Sequence, residues 1–298
     1  MWIKPSAVLG AFACMLVLAA CSSDDPSGGR PLVIASFYPF AFVAEQVGGD
    51  TVQVDNLTPP GAEPHDLELS PQQVADLTNA SLVIFENGFQ PAVDDGVDQA
   101  NLSDQARLDV ADVVHTMDAT GSDEGEFDPH VWLDPVLMEQ ITEATAQRLS
   151  EIDPAHKQQY ERNADRLVGE LRDLDTAYRQ GLADCQRRTI VTSHDAFGYL
   201  ARRYHLEQIP ISGIDPHAEP SPAQQAHISD LVEQKGITTV FTETLVSDAV
   251  AESIANETGA SVATLDPIEG LSDATSHENY FDLMRSNLEA IQQANGCT

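Results

Sequence analysis

Short apolar runs alternate with amphipathic segments along most of this chain, and this alternation restricts its fold more than any other feature. The stretch at 31–39, Pro-Leu-Val-Ile-Ala-Ser-Phe-Tyr-Pro, indicates a buried strand that ends in a turn, and the run at 81–85, Ser-Leu-Val-Ile-Phe, indicates another strand. Helical patterns lie between such runs, for example at 40–47 and 70–79. Strands that alternate with helices form parallel βαβ units, so the sequence predicts an α/β fold.

The alternation occurs twice, on either side of a long charged helical pattern at 154–182. The apolar stripe of this pattern is short and irregular, which favours a helix between domains over a coiled coil. The folded part, 31–298, is also near the size at which a single core stops growing. We therefore predict two lobes, each a mainly parallel sheet flanked by helices, with a metal cleft between them. The predicted boundaries are 31–152 for the first lobe, 153–183 for the linking helix and 184–298 for the second lobe.

The first residues have the composition of a secretory signal peptide, at 1–20. Lys4 supplies the positive charge, and the apolar run at 7–20 is shorter than the ~20 residues of a membrane-spanning helix. The run ends in Leu-Ala-Ala-Cys21, which resembles a bacterial lipobox. We expect Cys21 to carry a lipid and 21–30 to be a flexible tether, so that the protein is extracytoplasmic and anchored to the cell membrane of a bacterium. An ordinary signal peptide with a chance cysteine is the alternative.

Two cysteines, Cys185 and Cys297, remain in the predicted folded part. Because export permits disulfides, we predict that these two pair and attach the C-terminus to the second lobe. Two free thiols are the alternative, since a disulfide requires the two Cα atoms to lie close together.

The formal net charge of −33 limits the classes of partner. It argues against nucleic acid and against an anionic membrane surface. A solvated acidic surface that keeps the protein soluble accounts for this charge better than a reservoir for cations does. Carboxylates near a metal site would still raise the local concentration of cations.

Four residues in short, stiff stretches are candidate metal ligands. The stretches are Glu-Pro-His65-Asp, Asp-Pro-His130-Val, Ser-His194-Asp and Leu-Asp266-Pro, and each lies just after a predicted strand or in a loop that leads into a helix. Open α/β sheets bind ligands beyond the carboxyl ends of their strands, and three imidazoles with one carboxylate suit zinc or a neighbouring divalent metal. We predict one site with two ligands from each lobe. A lone histidine is more often a surface or capping residue, so the prediction requires that all four converge.

Neighbouring residues are assigned supporting roles. Glu63 and Glu243 are alternative ligands, and Asp66, Asp128 or Asp195 is expected to accept a ring N–H and fix the tautomer of a histidine. The remaining histidines lie in exposed-looking loops or on polar helix faces and are not assigned to the site: His115, His156, His205, His217, His227 and His277.

At these residues the chain resembles the zinc-uptake solute-binding proteins of bacterial ABC transporters, the cluster A-I metal-binding lipoproteins. Five stretches occur in the family order: Ala-Ser-Phe-Tyr-Pro39, Asn-Leu-Thr-Pro-Pro-Gly-Ala-Glu-Pro-His65-Asp, Asp-Pro-His130-Val-Trp-Leu-Asp-Pro, Thr-Ser-His194-Asp-Ala-Phe-Gly-Tyr-Leu and Leu-Asp266-Pro. The resemblance implies two α/β lobes joined by a long rigid helix. It also implies a metal held between the lobes by His65, His130, His194 and Asp266, and an ABC transporter permease in the membrane as the partner.

The choice of metal depends on position 194. Manganese-type relatives tend to carry a carboxylate there and zinc-type relatives a histidine, and imidazole suits zinc. We therefore predict a monomeric protein that binds Zn²⁺ as its transported ligand and is not an enzyme. In place of the histidine-rich loop of many zinc-type relatives, the chain has an acidic loop at 118–128.

Three other functions are alternatives. The first is a manganese- or iron-binding homologue of the same architecture. The second is a zinc hydrolase, which is disfavoured because a fourth protein ligand leaves no open position for water and because the chain has no His-Glu-x-x-His helix. The third is a lipid-anchored adhesin.

Overall fold

A computed structural model of the protein describes residues 1–2, 29–119 and 127–298. The predicted lipidation site Cys21, most of the predicted signal peptide and most of the tether lie outside the described residues. So do Asp123, Glu124 and Glu126 of the acidic loop. Within the described part, no helix is both long enough and apolar enough to cross a membrane.

The first half of the chain forms a sheet of four parallel strands in the order β2-β1-β3-β4. The strands are β1 (Leu32–Ala35), β2 (Gln53–Asn56), β3 (Leu82–Phe85) and β4 (Arg107–Asp109), and the helices are α1 (Tyr38–Gly48), α2 (Pro71–Asn79) and α3 (Pro91–Ala100). The central strands β1 and β3 are almost wholly buried, which explains why they are continuous apolar runs in the sequence. Helix α2 begins where the sequence predicts, because Ser70 and Gln73 form a reciprocal capping box in front of Pro71.

Along the chain, a short antiparallel pair of strands and then two helices separate the first sheet from the second. The pair is β5 (Met117–Asp118) with β6 (Phe127–Asp128), and the helices are α4 (Pro135–Ile152) and α5 (Lys157–Gly181). Helix α5 is shorter than the predicted helix at 154–182, since a turn at 153–156 reverses the chain so that α5 packs against α4. It also contacts α1 of the first half and the last helix of the chain, Tyr280–Asn295.

The second half repeats the first, with four parallel strands in the order β10-β9-β7-β8. The strands are β7 (Thr189–Thr192), β8 (Glu207–Pro210), β9 (Thr239–Thr242) and β10 (Ser261–Thr264), and the helices are α6 (Gly198–Tyr204), α7 (Pro222–Lys235), α8 (Ala249–Thr258) and α9 (Tyr280–Asn295). In each sheet the second strand pairs on one side of the first, and the third and fourth lie on the other side. The predicted two-sheet α/β architecture is confirmed, while the boundaries at 31–152, 153–183 and 184–298 stay a prediction.

Buried contacts join the two halves beside the predicted ligands. The indole N–H of Trp132 donates to the carbonyl oxygen of Pro267 at 2.7 Å, and the hydroxyl of Tyr280 donates to the carbonyl oxygen of Trp132 at 2.7 Å. Both aromatic side chains are fully buried. Cys185 and Cys297 form the predicted disulfide, which attaches the C-terminus to the segment before β7.

Candidate metal centre

Loops from both halves bring four side chains together. His65 lies in the loop after β2, His130 follows β6, His194 follows β7 and Glu269 follows β10. Each offers a ligand atom, and the four atoms lie within 4.8 Å of one another. His130, His194 and Glu269 are buried, and the side chain of His65 is 9% exposed. The group therefore lies inside the cleft and not on the surface.

The distances within the group fit a tetrahedral zinc site. The Oε1 atom of Glu269 lies 3.3 Å from Nε2 of His65, 3.2 Å from Nε2 of His130 and 3.4 Å from Nε2 of His194. The Nε2 atoms of His130 and His194 are 3.2 Å apart. Ligands at about 2.0–2.1 Å from a central zinc in a tetrahedron are separated by about 3.3–3.4 Å. The four side chains thus have the spacing of ligands that share one ion.

Carboxylates orient two of the imidazoles. Asp128 accepts from Nδ1 of His130 at 2.9 Å and from its backbone N–H at 3.0 Å. Glu243 accepts from Nδ1 of His194 at 2.7 Å and from its backbone N–H at 3.1 Å. A proton on Nδ1 leaves the lone pair of Nε2 for a metal, which is how metal-binding histidines are usually held. Asp128 thus makes the contact that the sequence analysis expects, and Glu243 lies behind a ligand.

Asp266 lies outside this group of four. Its Oδ1 atom accepts from the backbone N–H of Ile268 at 2.7 Å, and its Oδ2 atom accepts from the hydroxyl of Thr244 at 3.0 Å. The first bond closes a turn in which Ile268 has a φ of 59°, a left-handed conformation that β-branched residues rarely adopt. This turn leads directly to Glu269. The structure therefore places Glu269 beside the histidines, where the sequence analysis expects Asp266.

Comparison with known proteins agrees with this geometry. The family model described as zinc-uptake complex component A, periplasmic (ZnuA) matches residues 33–294. The chain belongs to the ZnuA family. This confirms the family predicted from the five stretches, and members of the ZnuA family are solute-binding proteins and not enzymes.

Relatives of this ZnuA-family chain are named as zinc-binding or zinc-uptake proteins. The chain is 35% identical over 305 residues to the zinc-binding lipoprotein AdcA of Streptococcus pneumoniae, with 98% of the chain covered. It spans 61% of the length of AdcA. It is 31% identical to the high-affinity zinc uptake system protein ZnuA of Bacillus subtilis, with 99% of the chain and 98% of that protein covered. The crystal structure of the Zn(II)-bound ZnuA-like domain of Streptococcus pneumoniae AdcA aligns with a TM-score of 0.77 at 34% identity, and covers 90% of this chain and 99% of that domain.

In the ZnuA-family site, burial and neighbouring groups shift the pKa values in opposite directions. Burial favours a neutral Glu269, but hydrogen bonds from the three histidines hold its pKa well below the ordinary value. Burial would lower the pKa of both His130 and His194. Asp128 and Glu269 nevertheless raise the pKa of His130, and Glu243 and Glu269 raise the pKa of His194. Metal and protons therefore compete for the same imidazole nitrogens.

Proposed function

We propose that the protein captures Zn²⁺ outside the cytoplasm and delivers it to an ABC transporter permease in the membrane. In this proposal it acts as a monomer held at the membrane by a lipid on Cys21. The observation that carries the proposal is the cluster of three Nε2 atoms around Oε1 of Glu269, at distances of 3.2–3.4 Å. Two relatives, a zinc-binding lipoprotein and a zinc uptake system protein, support zinc as the transported ion and uptake through a membrane transporter as its route.

We further propose His65, His130, His194 and Glu269 as the ligands. Asp266 becomes a positioning residue in this assignment, because both of its oxygens are engaged in the turn that presents Glu269. Its pKa is raised to about 6, and burial is the largest cause.

The ligand set argues for transport of zinc and against catalysis. Four protein ligands close a tetrahedral site, whereas zinc enzymes keep one position open for water. Three imidazoles and a single carboxylate suit zinc better than manganese, which prefers oxygen ligands.

A matched pair of variants tests the ligand assignment. Glu269→Ala removes a ligand, and we expect it to lower zinc affinity by at least about tenfold, as each bound ligand contributes a share of the binding free energy. Asp266→Asn keeps an oxygen that accepts from Ile268, and we expect a smaller loss. Affinity is measured by competition with a zinc chelator. A larger loss in Asp266→Asn than in Glu269→Ala would return the assignment to Asp266.

Metal analysis of protein purified without chelator, followed by competition between Zn²⁺ and Mn²⁺, tests the cargo. We expect zinc to be bound and to displace manganese. Equal occupancy or a preference for manganese would overturn the proposal in favour of a manganese-type homologue.

A further inference from the structure

A second cluster of metal-binding side chains lies next to the buried one. The side-chain ligand atoms of Glu63, Asp66 and His217 are within 4.8 Å of one another. Glu63 and Asp66 belong to the loop between β2 and α2, and His217 belongs to the loop between β8 and α7. The cluster therefore joins the two halves, as the buried cluster does.

Glu63 faces both clusters. Its Oε1 atom lies 3.9 Å from Nε2 of His65, and its Oε2 atom lies 3.9 Å from Nε2 of His217. The backbone N–H groups of His65 and Asp66 donate to Oε1 and Oε2 at 3.1 and 3.3 Å, so the carboxylate is held in place. The Glu63 side chain is only 8% exposed. A fixed, nearly buried carboxylate thus connects the buried ligands with residues outside.

The other two members of the second cluster are open to solvent. The side chain of His217 is 48% exposed and that of Asp66 is 74% exposed, and Nε2 of His217 lies 3.8 Å from Oδ2 of Asp66. Within the described part of the chain, the ion pairs of Glu63 and Asp66 are made with histidines alone. No lysine or arginine there neutralises the two carboxylates, which leaves their charge for a cation.

A cavity of about 440 Å³ adjoins His65 and the loop that carries His217. Its walls include His65 and residues of the loop that carries His217, among them Asp215 and Glu219. An ion that reaches His65 through this cavity passes a wall with two further carboxylates. The cavity therefore lies beside the second cluster, between His65 and the loop that carries His217.

We propose that Glu63, Asp66 and His217 form an outer zinc site, from which the ion moves to the buried site across Glu63. This inference rests on the proposed function. Three protein ligands leave one position for water, so the outer site binds more weakly and exchanges its ligands more readily than the buried one. During transfer, Oε1 of Glu63 takes up the ion as His217 and Asp66 release it, and His65 is the first buried ligand to bind.

The experiment counts zinc ions and measures the rate of loading on the full mature chain. Equilibrium dialysis against Zn²⁺ with metal analysis is expected to give two ions per chain for the unchanged protein and one for His217→Ala. The affinity of the tight site stays within about threefold in the variant, while stopped-flow loading slows by about tenfold, because an outer site without its imidazole no longer holds the ion next to His65. The matched control is His227→Ala, an exposed histidine on α7, which is expected to keep two ions and the original rate.

Three outcomes are distinguishable. Loss of the weaker ion in His217→Ala, with the tight ion retained, supports the outer site. One ion in the unchanged protein, with a loading rate that His217→Ala does not alter, overturns the outer site and leaves the proposed function standing. Absence of any tight zinc site in the unchanged protein overturns the proposed function itself. In His130→Ala, weak zinc binding that still depends on His217 would separate the two sites further.

Discussion

The two sheets have the same strand order, but they differ in one matched pair of residues at their carboxyl ends. The register of β1 with β3, continued beyond the strands, puts Phe37 opposite Glu86. The register of β7 with β9, continued in the same way, puts His194 opposite Glu243. Each sheet therefore has an equivalent pair of positions beyond its first and third strands, and a glutamate follows the third strand in both sheets.

The two glutamates differ in their hydrogen-bond partners. Glu243 accepts from the imidazole and the backbone N–H of His194, at 2.7 and 3.1 Å. Glu86 is 2% exposed, and neither of its carboxylate oxygens has a hydrogen-bond partner in the described part of the chain. Burial, with the charges of Asp128, Asp109 and Asp94, raises the pKa of Glu86 well above its ordinary value. A buried carboxylate without a partner favours the neutral acid.

The two halves therefore contribute to the candidate site from different positions. The second half places a candidate ligand, His194, two residues after its first strand, and the matched glutamate orients it. The first half has Phe37 there, which packs edge-to-face against Phe40, Phe89 and Trp132. Its two candidate ligands, His65 and His130, come from loops further along the chain. A repeated topology thus carries a candidate metal ligand in one copy and a core aromatic residue in the other.

The largest expected effect comes from changing the two residues that face the glutamates. His194→Ala removes a ligand, and we expect zinc affinity to fall by about 100-fold or more, since structural zinc sites gain ~10–16 kcal/mol from about four ligands. Phe37→Leu is the matched change in the first half. It is expected to cost about 1 kcal/mol of stability and to leave zinc affinity within about threefold. Calorimetric titration with Zn²⁺ and thermal unfolding measure the two quantities. Similar losses of affinity in both variants would contradict the comparison.

The next effect comes from the glutamates themselves. Glu243→Gln weakens the contact that orients His194, and we expect zinc affinity to fall by about 10- to 100-fold. Glu86→Gln is expected to leave zinc affinity unchanged, because Glu86 makes no hydrogen bond to an imidazole in the described part of the chain. The same chelator competition measures both variants. An equal loss in the two would show that Glu86 also acts on the site.

The sequence predicts most of the strands of both sheets, but it does not predict strand β4 or helix α3. Buried parallel strands such as β3 are continuous apolar runs, so their position can be predicted from the sequence. Helix α3 and strand β4 have no counterpart in the sequence analysis. Strand β4 has three residues of which only Leu108 is buried, and α3 buries only Val93, Gly96 and Val97. Such short elements are set by their neighbours, and their own pattern is too weak to predict them.

For the candidate site, the sequence predicts the three histidines but not the carboxylate. The three histidines can be found because each follows a strand in a stiff stretch. The carboxylate is harder, since Asp266 and Glu269 lie in the same stretch after β10. Which of them reaches the histidines depends on the left-handed backbone at Ile268, and an isoleucine gives no indication of that conformation in a sequence.

The smallest expected effect concerns stability and pH at Glu86. Its folded-state pKa is raised above the value of 4.5 that applies to an exposed glutamate, so folding favours the protonated form. Stability from this group is fully present below pH 4.5 and is lost as the pH rises through the raised pKa. Glu86→Gln keeps the shape without the charge, and we expect it to raise the melting temperature by about 3 °C at pH 8 and by less at pH 5. Glu68→Gln, at an exposed position, is the control and should change the melting temperature little at either pH. Circular dichroism melts of the metal-free protein measure the shifts, and equal shifts at the two pH values would show that Glu86 does not titrate between them.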